Sequence, residues 1–118
     1  ANAMAVREAR RRGLRNFSVL SSHVLTPPAI EAILRDPDRR VQAFLGPGHA
    51  CTVSGLAEYE ELARTFRVPI AITGFEPVDL LEGILLTVRR LEAGSFGVDN
   101  QYARSVTAPG LIKASRTF

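Results

Sequence analysis

The chain has no tryptophan, a single cysteine and a single methionine in 118 residues. It also lacks any stretch near the roughly 18 consecutive apolar residues that a membrane-spanning helix needs. One cysteine excludes an intrachain disulfide and any self-contained cysteine metal site, so Cys51 acts alone or with another chain. The N-terminus is basic but has no apolar run behind it, which speaks against a secretory signal. These absences point to a cytoplasmic protein with no membrane association. Aromatics are scarce at 7%, and the arginine-rich segment carries neither stacking residues nor a base-reading motif. The pI near 9.8 is a local effect of Arg7, Arg10, Arg11, Arg12 and Arg15, without which the formal charge falls from +3 to −2. An exposed arginine-rich helix explains it, and no nucleic-acid partner is expected.

With 46% hydrophobic and 23% charged residues, the chain has the composition of one folded domain. Residues Ala1 to Ala3, before Met4, read as a cloning scar, residues 4–106 as a single α/β domain and residues 107–118 as an irregular or partner-docked tail. The segment Val6 to Leu14 reads as a helix running into a strand, as in the middle of a longer α/β protein. Strand-like runs fall at Asn16 to Ser21, Val41 to Leu45 and Pro69 to Thr73, with a short fourth strand around Phe96 to Val98. Thr26 can cap a helix with Pro27 at its first position, and Ile30, Ile33 and Leu34 form its apolar stripe before Pro37. Leu56, Tyr59, Leu62, Ala63 and Phe66 repeat at helical spacing. Pro77 opens a longer helix whose Leu80, Leu81, Ile84, Leu85, Val88 and Leu91 make a broad apolar face, ended by Gly94. The alternation predicts an α/β fold, a small doubly wound (Rossmann-like) parallel sheet of three to four strands with right-handed crossovers and helices on both faces.

In such sheets ligands bind beyond the carboxyl ends of the strands. Both histidines, the cysteine and an unusual acid fall there. His49 follows Gly46-Pro47-Gly48 and precedes Cys51-Thr52, a setting open to acid-base work or to a plain backbone hydrogen bond. His23 precedes Pro27-Pro28, where a polar loop residue needs no catalytic explanation. Cys51 is either a thiolate favoured by a helix N-terminus or a small buried hydrophobe. Glu76, held out of helical angles by Pro77, is a poor N-cap, so its carboxylate is expected to point into the cleft. Asp79 has a full explanation as a first-turn acid. Without a GxGxxG or GKS/T motif, the glycines are turn formers rather than a phosphate loop.

At these two loops the sequence resembles a known family. Phe44 to Val53 (FLGPGHACTV) and Val68 to Ile84 (VPIAITGFEPVDLLEGI) look like the PGHxS/C and PxVxxGFEPxDxLxxI signatures of the HypD family. Asn16 to Leu20, Pro27-Pro28-Ala29 and Asn100 to Arg104 are also similar, so the likeness runs from about Arg7 to Val106. Arg89-Arg90 departs from the pattern, standing where a Gln often ends the second motif. The resemblance implies one α/β lobe of a scaffold for [NiFe] hydrogenase maturation, on which the Fe(CN)2CO centre is assembled with HypC-like and HypE-like partners. Iron and a [4Fe-4S] cluster are implied for the full-length protein and no cofactor for this lobe, which lacks the family's CGTH and GPGCPVC motifs. By motif match, His49, Cys51 and Glu76 are the candidate catalytic residues, with no metal ligand. Pro47, Gly48, Thr52, Thr73, Gly74, Phe75, Pro77 and Asp79 would line the cleft. Self-association through the face left by the missing lobe is a further expectation. Two other readings stay open, a free-standing thiol enzyme using Cys51 with His49 and a pure protein-interaction module.

Overall fold

The computed structural model describes residues 2–22 and 24–110. Helix α1 (Asn2–Arg11) is nearly all exposed, with only Ala9 buried, and it stops where Gly13 takes a left-handed φ of 65°. Its arginines find an internal partner, because the Glu8 carboxylate accepts from Arg11 (2.7 Å) and Arg12 (2.6 Å) one turn on.

The expected strand at Asn16 to Ser21 is absent. These residues carry no strand assignment and are exposed, Leu20 completely so. β propensity makes a strand only where a ladder partner and a buried face are on offer, and this run has neither. Helix α2 (Thr26–Arg35) then begins one residue earlier than read: Leu25 is the N-cap, Thr26 is already helical, and the Thr26 hydroxyl bonds to Tyr59 instead of capping.

Strand β1 (Phe44–Pro47) lies later than the expected Val41 to Leu45, and helix α3 (Gly48–Ser54) follows it directly. Helix α4 (Ala57–Phe66) ends on Arg67, whose φ of 55° is left-handed. Strand β2 (Pro69–Thr73), helix α5 (Pro77–Glu92) and strand β3 (Gly97–Asn100) complete the order. The sheet is parallel in the order β1-β2-β3, with Phe44 opposite Ile70 and Ile70 opposite Val98. Among the described residues no helix is long and apolar enough to cross a membrane.

Helices cover both faces, and side-chain alternation assigns them. Phe44, Gly46, Ile70 and Ile72 face α4, where Ile30, Leu34, Tyr59, Leu62 and Ala63 form the core. A Cβ on Gly46 would stand 2.5 Å from Ile72 Cδ1, which is why this strand position is glycine. On the other face α5 packs by Gly83 and Thr87, with Gly83 seated against Thr73 and Leu45. Arg90 of α5 clamps Asp99 of β3 through two side-chain hydrogen bonds. Both crossovers step the same way along the sheet while α4 and α5 lie on opposite faces. They are therefore of opposite hand, against the all-right-handed expectation.

The apolar face read on α5 is present but turned outward. Leu81, Ile84, Leu85, Val88 and Leu91 are exposed, and the stripe against the sheet is Asp79, Gly83 and Thr87. Small residues win that position because the helix approaches the sheet too closely for leucine.

Candidate functional site

Three strand ends meet at the carboxyl edge of the sheet. Pro47 closes β1 and opens α3, Thr73 leads into Gly74-Phe75-Glu76, and Asn100 leads into the turn Gln101 to Arg104. Tyr102 joins them. Its N–H donates to the Ile72 carbonyl (3.1 Å), and its ring lies where side chains on both loop glycines would go. A Cβ on Gly48 would be 2.6 Å from Tyr102 Cδ1 and 2.5 Å from the Thr73 carbonyl oxygen. One on Gly74 would be 2.8 Å from Tyr102 Cε2 and would collide with the Asp79 carboxylate. Glycine is required at both because the loops are pinched on one aromatic ring.

Asp79 is the electrostatic anchor of this edge. Its residue is 4% exposed, and Arg104 donates to both carboxylate oxygens (2.8 and 2.6 Å), a bidentate fork. Gln101 donates to Asp79 (2.9 Å) and to Glu82 (2.8 Å) and accepts from the Gly74 N–H (3.4 Å). The Arg104 guanidinium lies 4.3 Å from the centre of the Tyr102 ring, a cation–π contact. Arg104, and then Gln101, hold the Asp79 carboxyl down at about 2.

A depressed carboxyl pKa adds stability that is fully present above the unfolded value near 3.8 and is lost as pH falls through about 2. Urea midpoints measured between pH 5 and pH 2 (about the window of both pKa values) are therefore expected to fall in the wild type. They should fall less in Asp79→Asn, which starts from a lower midpoint. Parallel curves would show that the Asp79 pair is not the source.

The side chains left open at this edge are His49, Phe75, Glu76 and part of Arg104. His49, in the first turn of α3, meets the Phe75 ring with centroids 5.0 Å apart and planes tilted by 50°. That contact brings the two motif loops together. The Glu76 side chain is 80% exposed, makes no cap bond although Glu76 is the N-cap of α5, and stands 3.8 Å from Arg104. Pro77 supplies the first turn of α5, where its missing N–H costs nothing.

Other residues of the predicted set have inward roles. Thr73 is buried, and the Thr52 hydroxyl donates to the Gly48 carbonyl (3.2 Å) inside α3. Cys51 lies within α3 rather than in a loop ahead of a helix. It is completely buried among core residues, and desolvation raises its pKa while Tyr59 bonds to it. Burial also pushes the Tyr59 phenol up to about 12. His23 lies outside the described residues. Among the described residues no group of three or more His, Cys, Asp or Glu side chains is placed to hold a metal ion. Gln101, Tyr102 and Arg104 are absent from the set that the sequence predicts. Nothing local in the sequence pairs Arg104 with an acid 25 positions earlier.

A parallel sheet with helices on both faces defines a Rossmann-like α/β domain, and the polar and aromatic side chains gathered from successive strand ends make its carboxyl edge the candidate site. The HypD family profile, described as "Hydrogenase formation hypA family", matches residues 1–118, and the chain belongs to that family. It is 46% identical over 118 residues to the hydrogenase maturation factor HypD of Rhizobium leguminosarum bv. viciae, covering 95% of this chain and 31% of the relative. It is 45% identical over 117 residues to that of Azotobacter vinelandii, with the same coverage. The HypD of Escherichia coli is 35% identical over 116 residues, 98% of this chain and 31% of the relative. The chain thus spans about a third of the length of the curated relatives it matches.

Proposed function

We propose that this domain is one lobe of a hydrogenase maturation scaffold and supplies half of the cleft in which the Fe(CN)2CO centre of [NiFe] hydrogenase is assembled. The observation that carries the reading is the His49–Phe75 contact, which unites the two motif loops and sets the exposed His49 against the loop that carries the exposed Glu76. Iron is the cargo. His49 can donate a hydrogen bond or a proton to the nitrogen of an iron-bound cyanide. Glu76, within reach of Arg104, can accept one or hold it. Arg104 and Tyr102 fix the loop geometry through Asp79 and the two glycines.

The iron-holding thiolates and the [4Fe-4S] cluster belong outside this chain. A cluster takes four cysteines, and the single cysteine present is buried in the core. The same burial counts against the thiol-enzyme reading, since a reactive cysteine needs access and a lowered pKa and Cys51 has the reverse of both. HypC-like and HypE-like proteins are the proposed partners, meeting the domain at the open carboxyl edge.

The test is complementation. In a strain lacking its own HypD-type protein, the intact protein carrying His49→Ala or Glu76→Ala should lower hydrogenase activity by at least about tenfold with unchanged protein level. Full activity in both would remove the carboxyl edge from the function.

A further inference from the structure

Arg104 has an edge that the fold does not use. A guanidinium carries more N–H groups than one carboxylate can take. Arg104 gives one from Nη1 and one from Nη2 to Asp79 (2.8 and 2.6 Å), and among the described residues its other N–H groups have no hydrogen-bond partner. The Glu76 carboxylate, 3.8 Å from Nη2, is near but beyond hydrogen-bond distance. The Arg104 side chain is 49% exposed and that of Glu76 80%, so the unused edge opens on the Glu76 side, whereas the buried Asp79 lies on the inner side. That edge is also fixed in place. The Asp79 fork holds it from one direction and the Tyr102 ring, 4.3 Å away, from another. Tyr102 is anchored in turn on the Ile72 carbonyl and fills the space where a side chain on Gly48 would go, so the guanidinium stands one ring away from the loop that carries His49.

We propose, resting on the assembly reading above, that Arg104 is a further ligand-binding residue of this site and that its outward N–H groups donate to the nitrogen of an iron-bound cyanide. That nitrogen keeps a lone pair and a share of negative charge, which the N–H of a cation binds more strongly than a neutral donor does. An ionised carboxylate cannot donate to it, so on the Glu76 side of the site Arg104 is the donor. Because Asp79 and Tyr102 hold the guanidinium before any ligand arrives, little freedom is lost on binding. The buried Asp79 thereby acquires a part in the site, as the group that aims Arg104 outward.

Titration of the isotope-labelled 118-residue chain with hexacyanoferrate(II), a soluble source of iron-bound cyanide, tests this by nuclear magnetic resonance. The Arg104 side-chain N–H signals should move saturably, together with the Gly48 and Gly74 amides. Arg104→Lys keeps the charge and loses the planar fork, and it should weaken that binding about tenfold. If lysine also loosens the loops, the Arg104 signals of the wild type decide. Signals that move only in the arginines of α1, or an Arg104→Lys chain that binds as tightly as the wild type, overturn the proposal. A response at His49 and Gly74 with Arg104 silent overturns it too, and leaves the assembly reading standing. No response anywhere at the carboxyl edge also overturns it, and the complementation result with His49→Ala and Glu76→Ala then decides the assembly reading separately.

Discussion

Gly48→Ala is expected to destabilise the domain by about 3 kcal/mol, a loss at the upper end of what overpacking costs and a large share of the roughly 5–15 kcal/mol that holds a domain together. The added methyl would stand 2.5 Å from the Thr73 carbonyl oxygen and 2.6 Å from the Tyr102 ring. Neither neighbour can yield. The carbonyl belongs to the end of the fully buried central strand, and the ring is pinned by its own N–H on Ile72 and by Arg104 against its face. Relief would have to come from moving α3 away from β2, which opens the core around Cys51. The adjacent His49→Ala is the control. His49 is exposed, so its truncation should change stability by no more than about 0.5 kcal/mol. Urea unfolding of the two variants compares them directly, and equal midpoints would mean that the loops are not pinched on Tyr102 as described.

Most of the fold was legible because its punctuation is local. Pro77 and Gly94 bracket α5, the 3.6-residue spacing from Tyr59 to Phe66 marks α4, and the β-branched run at Pro69 marks the central strand. What failed depended on partners. Asn16 to Ser21 has strand composition but no ladder neighbour. The apolar face of α5 is legible as a stripe, yet composition cannot say which stripe a close-packed sheet accepts, and it accepted Gly83 and Thr87. Crossover hand had the same weakness, since alternation gives the order of elements and not the face each crosses.

The site was legible in outline and obscure in mechanism. Strand-end position and motif both singled out Gly48, His49, Gly74 and Glu76. They could not show that Asp79 looks inward to Arg104, that Thr52 bonds within its helix, or that Cys51 belongs to the core. Tyr102, the residue on which the loops converge, was marked only by the family likeness at Asn100 to Arg104 and by lying just past β3, and neither says that it pins two glycines. The residues that chemistry would reject as inert, two glycines and a tyrosine, build the geometry, and the reactive-looking cysteine is structural.

The second large effect falls on function and leaves the fold alone. His49 and Glu76 are exposed, and neither holds a core contact, so His49→Ala with Glu76→Ala should keep the thermal midpoint of the domain. In the proposed assembly role the same pair would supply polar contacts to the cyanide ligands, whose nitrogens accept hydrogen bonds. Losing groups around a metal-bound ligand typically costs about 10- to 100-fold in affinity or activity, and losing both should approach the upper figure. On the same proposal iron retention should be unaffected, because neither side chain is a thiolate and the single cysteine of this chain is buried in the core.

The most direct measurement is the infrared spectrum of the intact protein, isolated with its iron, across the cyanide and carbon monoxide stretching region. The account predicts cyanide bands in the wild type. In the His49→Ala/Glu76→Ala protein at equal iron content, it predicts bands shifted in frequency and reduced to about a tenth or less. Cyanide bands of unchanged position and intensity in that variant would contradict it.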